Sequence, residues 1–290
     1  MNILTFDIEE WFHILNNPST ENESSWGNFE YRLRINMDKI LQLLDDSNNL
    51  ATFFCLGWVA RKYPNIIKEI DSLGHEIGSH SNEHQLIYRH DRNFFKKDLE
   101  ISIKSLENLT GKKVKAYRAP GFSLIERTLW AFEELALQGI EYDCSVFLGN
   151  HSHGGRIKEF GTNPSIVNYS GTSIKEFPVN SFKLGFKEIA FSGGGYFRFL
   201  PYPIIKHLMQ RENYIMAYFH PRDFDHDQPI IEDLSKFRIF KSYYGLEGSY
   251  KKAEKFLVDF DFISLNEANK IINWNEVEQY EIKNETIKHL

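Results

Sequence analysis

"HEIGSHSNEH", residues 75–84, decides how this chain is read. Its first half reads as a short strand. It leads directly into His80 and His84, four residues apart. Four residues is one helical turn, so in a helical or tightly turned conformation both imidazoles lie on one side. Two imidazoles on one side can grip a metal ion. They can equally be two surface histidines, and the rest of the chain has to decide.

The same pattern, a short strand ending on a polar side chain, recurs on either side of this stretch. "NILTFDI" ends at Asp7, with Glu9 and Glu10 following, and "NLATFFCLG" reads as a fully buried strand. "KVKAYRAPG" carries Arg118 and "IEYDCSVF" carries Asp143. Helical spacing fills the gaps. Leu33, Met37, Ile40, Leu41 and Leu44 share one face, and Phe95, Leu99, Ile103 and Leu106 share another before Gly111. "WVARKYPNIIKEIDSLG" reads as helix, broken at Pro64 and stopped at Gly74, and "IERTLWAFEELALQG" is a further helix. Five strand–helix alternations predict parallel strands joined by crossover helices. The acidic, basic and histidine residues fall at the C-terminal ends of the strands, the rim where β/α barrels keep their active sites.

Residues 147–200 are rich in turn formers and read as an insertion over one face, with a strand at "IKEFPV". "FSGGGYFRFLP" needs unusual backbone dihedrals or a close approach at Gly193–Gly195. "PYPIIKHLMQREN" is a short helix, and "YIMAYFHP" is a buried strand ending on His220. A polar loop, a helix at "SYKKAEKFLVDF", a strand at "FISL" and a terminal helix complete a single domain over residues 1–290, without repeats or a linker.

Composition narrows the function. The net charge is −6 and no basic run reads as a nucleic-acid surface. Cys55 and Cys144 sit in apolar runs and read as buried thiols in a reducing compartment. The N-terminus lacks the pattern of a secretory signal, and no stretch approaches a membrane span, so the expected location is cytoplasmic. Aromatic residues are 15% of the chain, which fits a Phe-rich core and also a sugar-binding cleft.

The rim residues suggest chemistry. Asp7 and Glu9 point the same way on an extended strand and repel unless a cation or an arginine lies between them. Two imidazoles and one carboxylate form a three-ligand set that leaves room for water, as in catalytic zinc sites. The same set admits iron, cobalt, nickel or manganese. Asp7 is then free to take a proton from water.

"TFDIEEW", "HSNEH", "RAPGF", "YDCS" and "YFHP", in this order, resemble the motifs of the polysaccharide deacetylase family (NodB homology, carbohydrate esterase family four). "EFPV", "GGGYFR", "FHPRDFD" and "FRIFKSYYGL" are similar to the subgroup associated with bacterial exopolysaccharide, capsule and surface-glycan clusters. The resemblance implies a distorted (β/α) barrel of seven or eight strands. It implies a divalent metal, zinc foremost, on Glu9, His80 and His84, with Asp7 as general base and His220 as general acid. Arg118 would orient Asp7, Asp143 would partner His220 or Arg118, and Gly121 and Phe122 would face the substrate and its oxyanion. Ser81 would support the histidine turn. The family's T-F-D-D-G is here Asp7-Ile8-Glu9-Glu10, which leaves the ligand to be chosen between Glu9 and Glu10, with strand alternation favouring Glu9. His151 and His153 read as loop residues.

The implied activity is removal of the N-acetyl group from an amino sugar in surface-polysaccharide biosynthesis. The substrate would be nucleotide-linked, lipid-linked or an oligosaccharide. Two other readings use the same scaffold: a cofactor-independent amide hydrolase of the allantoinase or formamide type, and a catalytically silent glycan-binding protein.

Overall fold

The computed structural model describes residues 1–289 apart from 149–153, 155, 156, 158, 180, 185, 186, 284 and 285. The first half alternates as the sequence pattern predicts. Strand β1 (Asn2–Ile8) leads through α1 (Glu23–Trp26) to α2 (Leu33–Ser47), and β2 (Thr52–Cys55) follows. Next come α3 (Gly57–Lys62), α4 (Pro64–Ser72), β3 (Glu76–Ser79), α5 (Arg92–Thr110), β4 (Ala116–Tyr117), α6 (Trp130–Leu137) and β5 (Tyr142–Asp143). The second half contains β6 (Ser165–Tyr169), β7 (Thr172–Glu176), β8 (Phe182–Leu184), β9 (Lys187–Ile189), α7 (Gly194–Phe199), α8 (Tyr202–Met209) and β10 (Ile215–Phe219). It ends with α9 (Lys236–Tyr243), α10 (Ser249–Asp259), α11 (Leu265–Ile271), β11 (Glu278–Lys283) and β12 (Thr286–His289).

β1 is buried from Ile3 to Ile8. A strand with no solvent face belongs inside a parallel sheet, and β1 pairs in parallel with β2 on one side and β10 on the other. Seven neighbouring strands, β10-β1-β2-β3-β4-β5-β7, are mutually parallel. The sheet then continues through β6, β11 and β12 and is not closed. The barrel is incomplete, and the Tyr214 hydroxyl, 2.9 Å from the Pro178 carbonyl, links the start of β10 to the segment after β7.

The helices form for legible reasons. α2 buries Leu33, Met37, Ile40, Leu41 and Leu44 along one side and ends on Asn48 in the left-handed conformation. Full burial of each such side chain is worth roughly 1.5–3 kcal/mol. α5 begins with the Asp91 side chain accepting from the Phe94 N–H and ends at Gly111, φ 69°.

The second half departs from expectation. Residues 165–176 form a hairpin, β6–β7, that joins the main sheet rather than lying over a face. The strand expected at "IKEFPV" runs over Thr172–Glu176, and Val179 makes only a lone bridge to Phe147. Gly194 and Gly195 open a helix, α7, while Gly193 bridges to Tyr218. A Cβ at Gly193 would lie 2.2 Å from the Tyr218 carbonyl oxygen, so a close backbone approach explains this glycine. The polar loop after His220 contains α9. "FISL" contributes a single bridge, Ile263 to Ile3, and the chain does not end on a helix but continues into β11–β12. Among the described residues, no helix is long and apolar enough to cross a membrane.

Candidate active site

Glu9 and Glu10 leave the end of β1 in opposite directions. Glu9 Oε2 lies 2.7 Å from His84 Nε2, both side chains being buried. Glu10 turns to the start of α2, where its carboxylate accepts from the Arg32 and Leu33 N–H groups at 3.1 Å each and from the Tyr63 hydroxyl at 2.5 Å. It therefore caps α2, supplying acceptors for N–H groups that a helix start leaves unbonded. The donor atoms of Glu9, His80 and His84 all lie within 4.8 Å of one another.

These residues fit a metal ion. Glu9 Oε2 is buried, with His84 Nε2 rather than a backbone N–H as its close neighbour. His80 Nδ1 donates to the Arg118 carbonyl at 2.8 Å, which leaves the Nε2 lone pair for a cation, as in metal-bound histidines generally. Burial pushes the Glu9 carboxyl up, but His84, His220 and His80 together pull it well below the usual carboxylate range. Burial lowers His80 to about 4 against the pull of Asp7, so it stays neutral, as a ligand must be.

The histidine turn is not helical. Ser81 (φ 70°) and His84 (φ 55°) occupy the left-handed region. Neighbouring groups hold it there. The Gly57 and Trp58 N–H groups at the start of α3 donate to the Ser81 and Asn82 carbonyls, at 2.9 and 3.1 Å. Asp98 of α5 accepts from the Asn82 and Glu83 N–H groups, at 2.8 and 3.2 Å. Ser81 Oγ accepts from the His84 N–H at 3.0 Å. The turn presses so closely on α3 that a Cβ at Gly57 would meet Asn82 Oδ1 at 2.5 Å.

Asp7 lies beside this set. Arg118, fully buried, donates from Nη1 to Asp7 Oδ1 at 2.7 Å and to Thr5 Oγ1 at 2.9 Å, with its guanidinium 4.3 Å from the Phe54 ring centre. His220 stands opposite. Its Nε2 is 3.3 Å from Glu9 Oε1 and 3.7 Å from Asp7 Oδ2, and its Nδ1 is 3.5 Å from Asp223 Oδ2. Burial alone would lower His220, but Asp223, Glu9 and Asp7 outweigh it and raise it to about 9. Asp223 also accepts from the His220 N–H at 2.9 Å and lies 3.3 Å from Arg198 Nε. Burial pushes Asp223 up, and His220 and Arg198 reverse this to hold it at about 2.

Asp143 does not partner His220 or Arg118. Its carboxylate takes the Ser145 hydroxyl at 2.6 Å and the Ser145 N–H at 3.1 Å, and Ser145 Oγ in turn accepts from the Ala119 N–H at 2.8 Å. Asp143 thus braces the "RAPGF" loop from beneath. Glu176 lies against it, and burial raises both carboxyls, Glu176 the further of the two because Asp143 adds its own charge. Gly121 (φ 57°) and Phe122 (φ 51°) are both left-handed, and the Phe122 N–H is bonded to the Ala119 carbonyl at 3.0 Å. His151 and His153 lie outside the described residues.

Asp223, Asp98 and His13 were not picked out by sequence reasoning. His13 is buried between Trp26 and Trp58, with ring centres 4.2 and 5.2 Å away and the His84 ring 5.7 Å away. Its Nδ1 accepts from the Glu10 N–H at 3.3 Å. It lines a small cleft with His84, Gln85 and Arg89. The available signal was a third histidine four residues after Glu9.

An incomplete β/α barrel that gathers buried carboxylates and histidines at its strand ends is the architecture of NodB-homology proteins. Residues 18–140 match the family described as polysaccharide deacetylase, and residues 144–270 match a domain of unknown function (DUF3473). Residues 18–140 thus carry the sequence pattern of the polysaccharide deacetylase family, and the fold is the one that family adopts. It is 36% identical over 97 residues to a peptidoglycan-N-acetylglucosamine deacetylase of Bacillus cereus, 33% of this chain and 35% of that one. It is 30% identical over 82 residues to a chitooligosaccharide deacetylase of Azorhizobium caulinodans, 28% of this chain and 39% of that one. The matches thus span well under half the length of these relatives. Among solved structures, a candidate polysaccharide deacetylase from Mycobacterium smegmatis shares the fold with a TM-score of 0.62 at 18% identity, covering 95% of this chain and 91% of that one. Asp7 and Glu9 precede the first matched segment, and His220 lies in the second.

Proposed function

We propose that this protein is a metal-dependent deacetylase that hydrolyses the N-acetyl group of an amino sugar in surface-polysaccharide biosynthesis. The observation that carries the reading is the convergence of His220 on Asp7 and Glu9 beside the Glu9–His80–His84 set. A base, an acid and a cation site within one buried cluster are what amide hydrolysis requires. A glycan-binding protein needs neither the base nor the acid.

Glu9, His80 and His84 would hold a divalent cation, zinc foremost from the donor set, with cobalt, nickel, iron or manganese also suited. When bound, it supplies Lewis acidity, polarising the acetyl carbonyl and lowering the pKa of water to ~7 in the best zinc cases. Asp7, oriented by Arg118, takes a proton from the attacking water as general base. The Gly121 N–H is the remaining donor of its loop for the developing oxyanion, since that of Phe122 is bonded internally. His220 carries the proton that the departing nitrogen needs, and Asp223 holds it there. Without this donor the amine would leave as an anion, a very poor leaving group.

The substrate is an N-acetylated sugar, nucleotide-linked, lipid-linked or in an oligosaccharide. The named activities of the B. cereus and A. caulinodans relatives support this class. Residues 1–290 act as one catalytic unit on this reading, since β1 sits between β2 and β10 and so joins the two matched segments. Two buried, unpaired thiols suit a reducing compartment and support a cytoplasmic location.

The test is acetate release from a panel of N-acetylated sugars, nucleotide sugars and oligosaccharides. Metal-stripped protein, zinc- or cobalt-reloaded protein and Asp7→Asn are run side by side. Acetate that requires both metal and Asp7 is the expected result. Metal binding without acetate from any substrate would redirect the reading to another amide, and failure to bind metal would overturn it.

A further inference from the structure

Helix α9 and its C-cap carry "KFRIFKSYY", residues 236–244, and α9 has no buried residue. Ile239 and Tyr243 pack against the core, and a second apolar stripe remains. Phe237, Phe240 and Tyr244 follow the i, i+3, i+7 spacing of a helical stripe that normally faces a core. Here they face outward, at 69%, 49% and 49% exposure. Backbone and arginine contacts hold the helix beside the core-facing Ile239 and Tyr243. Arg238 donates to the Asn16 and Leu15 carbonyls at 2.7 and 2.5 Å, and the Ser242 and Lys241 carbonyls accept from Arg198 at 2.8 and 3.1 Å. Phe199, 56% exposed, extends the stripe, with its ring 5.7 Å from that of Tyr244. Tyr244 lies 4.9 Å from Phe240, so the rings form one continuous patch.

Charge identifies what covers this patch. Lys236 and Lys241 are exposed beside it, and residues 234–246 contain no acidic side chain, Glu232, Asp233 and Glu247 lying outside that stretch, in a chain whose net charge is −6. Arg238 bonds to neutral carbonyls, and these contacts do not cancel its charge. Exposed phenylalanines ringed by cations are the signature of a surface that lies on an anionic bilayer, with the rings entering the acyl boundary and the cations meeting the headgroups.

We propose that α9 together with Phe199 docks the protein on an anionic lipid surface. This goes beyond the deacetylase reading and does not depend on it. It has a consequence for the site nonetheless. Arg198, which holds the α9 carbonyls, also lies 3.3 Å from Asp223, the partner of His220. Docking would therefore bring the rim of the site to the membrane plane, where a lipid-linked glycan would be presented.

The test is flotation of the full chain with vesicles of neutral lipid alone and with vesicles carrying anionic lipid, at low and high salt. Binding is expected to anionic vesicles only and to weaken with salt. Lys236→Gln with Lys241→Gln should weaken it about 25-fold, at about five-fold per cation. Phe237→Ser with Phe240→Ser should abolish it while thermal melting is retained, because both side chains are exposed. Absence of binding to anionic vesicles overturns the proposal, and so does binding that survives both double substitutions. Self-association in sedimentation that is lost in Phe237→Ser, without vesicle binding, would make this face a protein interface instead.

Discussion

Glu9 and Glu10 are adjacent carboxylates with different partners, and substitution separates them. Glu9→Ala is expected to lower zinc affinity at least about 100-fold, since even supporting groups of metal sites are worth 10–100-fold. Glu10→Ala should leave zinc affinity within a few-fold but cost roughly 2–4 kcal/mol of stability, because three donors lose their acceptor. Calorimetric zinc titration and thermal melting of the two variants check this. Asp223→Asn removes the charge that raises His220. An acid must be protonated to act, so activity fails as pH rises through the pKa of His220. The alkaline limb of kcat/KM should therefore move to lower pH in Asp223→Asn than in the parent.

Asp7, Arg118, His80 and His220 were legible because each sits at or just past a strand end, where local sequence alone shows the position. Asp98 was not, because it reaches backbone N–H groups 15 and 16 residues away that only folding brings near; Asp223 lies only three residues after His220, and its role depends on the tight turn between them. Asp143 shows the opposite error. The family resemblance implies a partner across the site, but its carboxylate bonds two residues along at Ser145, as aspartates near turns commonly do.

At the scale of elements, the histidine turn depends on α5 through Asp98. Burial raises this carboxyl from 3.8 to about 6 although two backbone N–H groups oppose the shift. Its folded pKa thus exceeds its unfolded value, so between the two the folded chain binds the proton more tightly. The stability from this protonation is full below about pH 4 and lost as pH rises through about 6. Asp98→Asn cannot titrate, so its unfolding free energy from urea titration should improve relative to the parent across that interval, by about 1–3 kcal/mol. A constant difference from pH 4 to 7 would contradict the assignment.

The elements were read where the period was strong, as in β1, α2 and α5. α7 was missed because glycines at its start depress helix propensity. α9 has a helical apolar stripe, but the polar composition of the surrounding loop concealed it. β11 alternates, with Tyr280 and Ile282 inward, but two apolar positions among polar ones are too short a signal to displace the expected terminal helix, which the structure places earlier, at α11.

For the whole molecule, the decisive arrangement is that β1 lies between β2 and β10 rather than at a sheet edge. Chain order could not show this, because β10 comes from the far side of the long region after β5. Residues 1–143 expressed alone should lack a cooperative thermal transition, since β1 loses its β10 partner and α2 loses its contacts with α10. Circular dichroism melting of that fragment beside the full chain tests this. A sharp transition in the fragment would show that the first half folds alone. The number of parallel strands was within the expected range, but the openness of the sheet was not, because closure depends on strand lengths and tilt that no local pattern encodes.

Cys55 and Cys144 lie one in each half of the parallel sheet, on β2 and just after β5, both fully buried and with thiols driven far up by burial. Neither can react with an alkylating reagent while its surroundings stay closed. The rate at which each sulfur is trapped is therefore a clock for the opening of its own region. Equal rates would mean that the sheet opens as one body, and unequal rates would show which half lets go first.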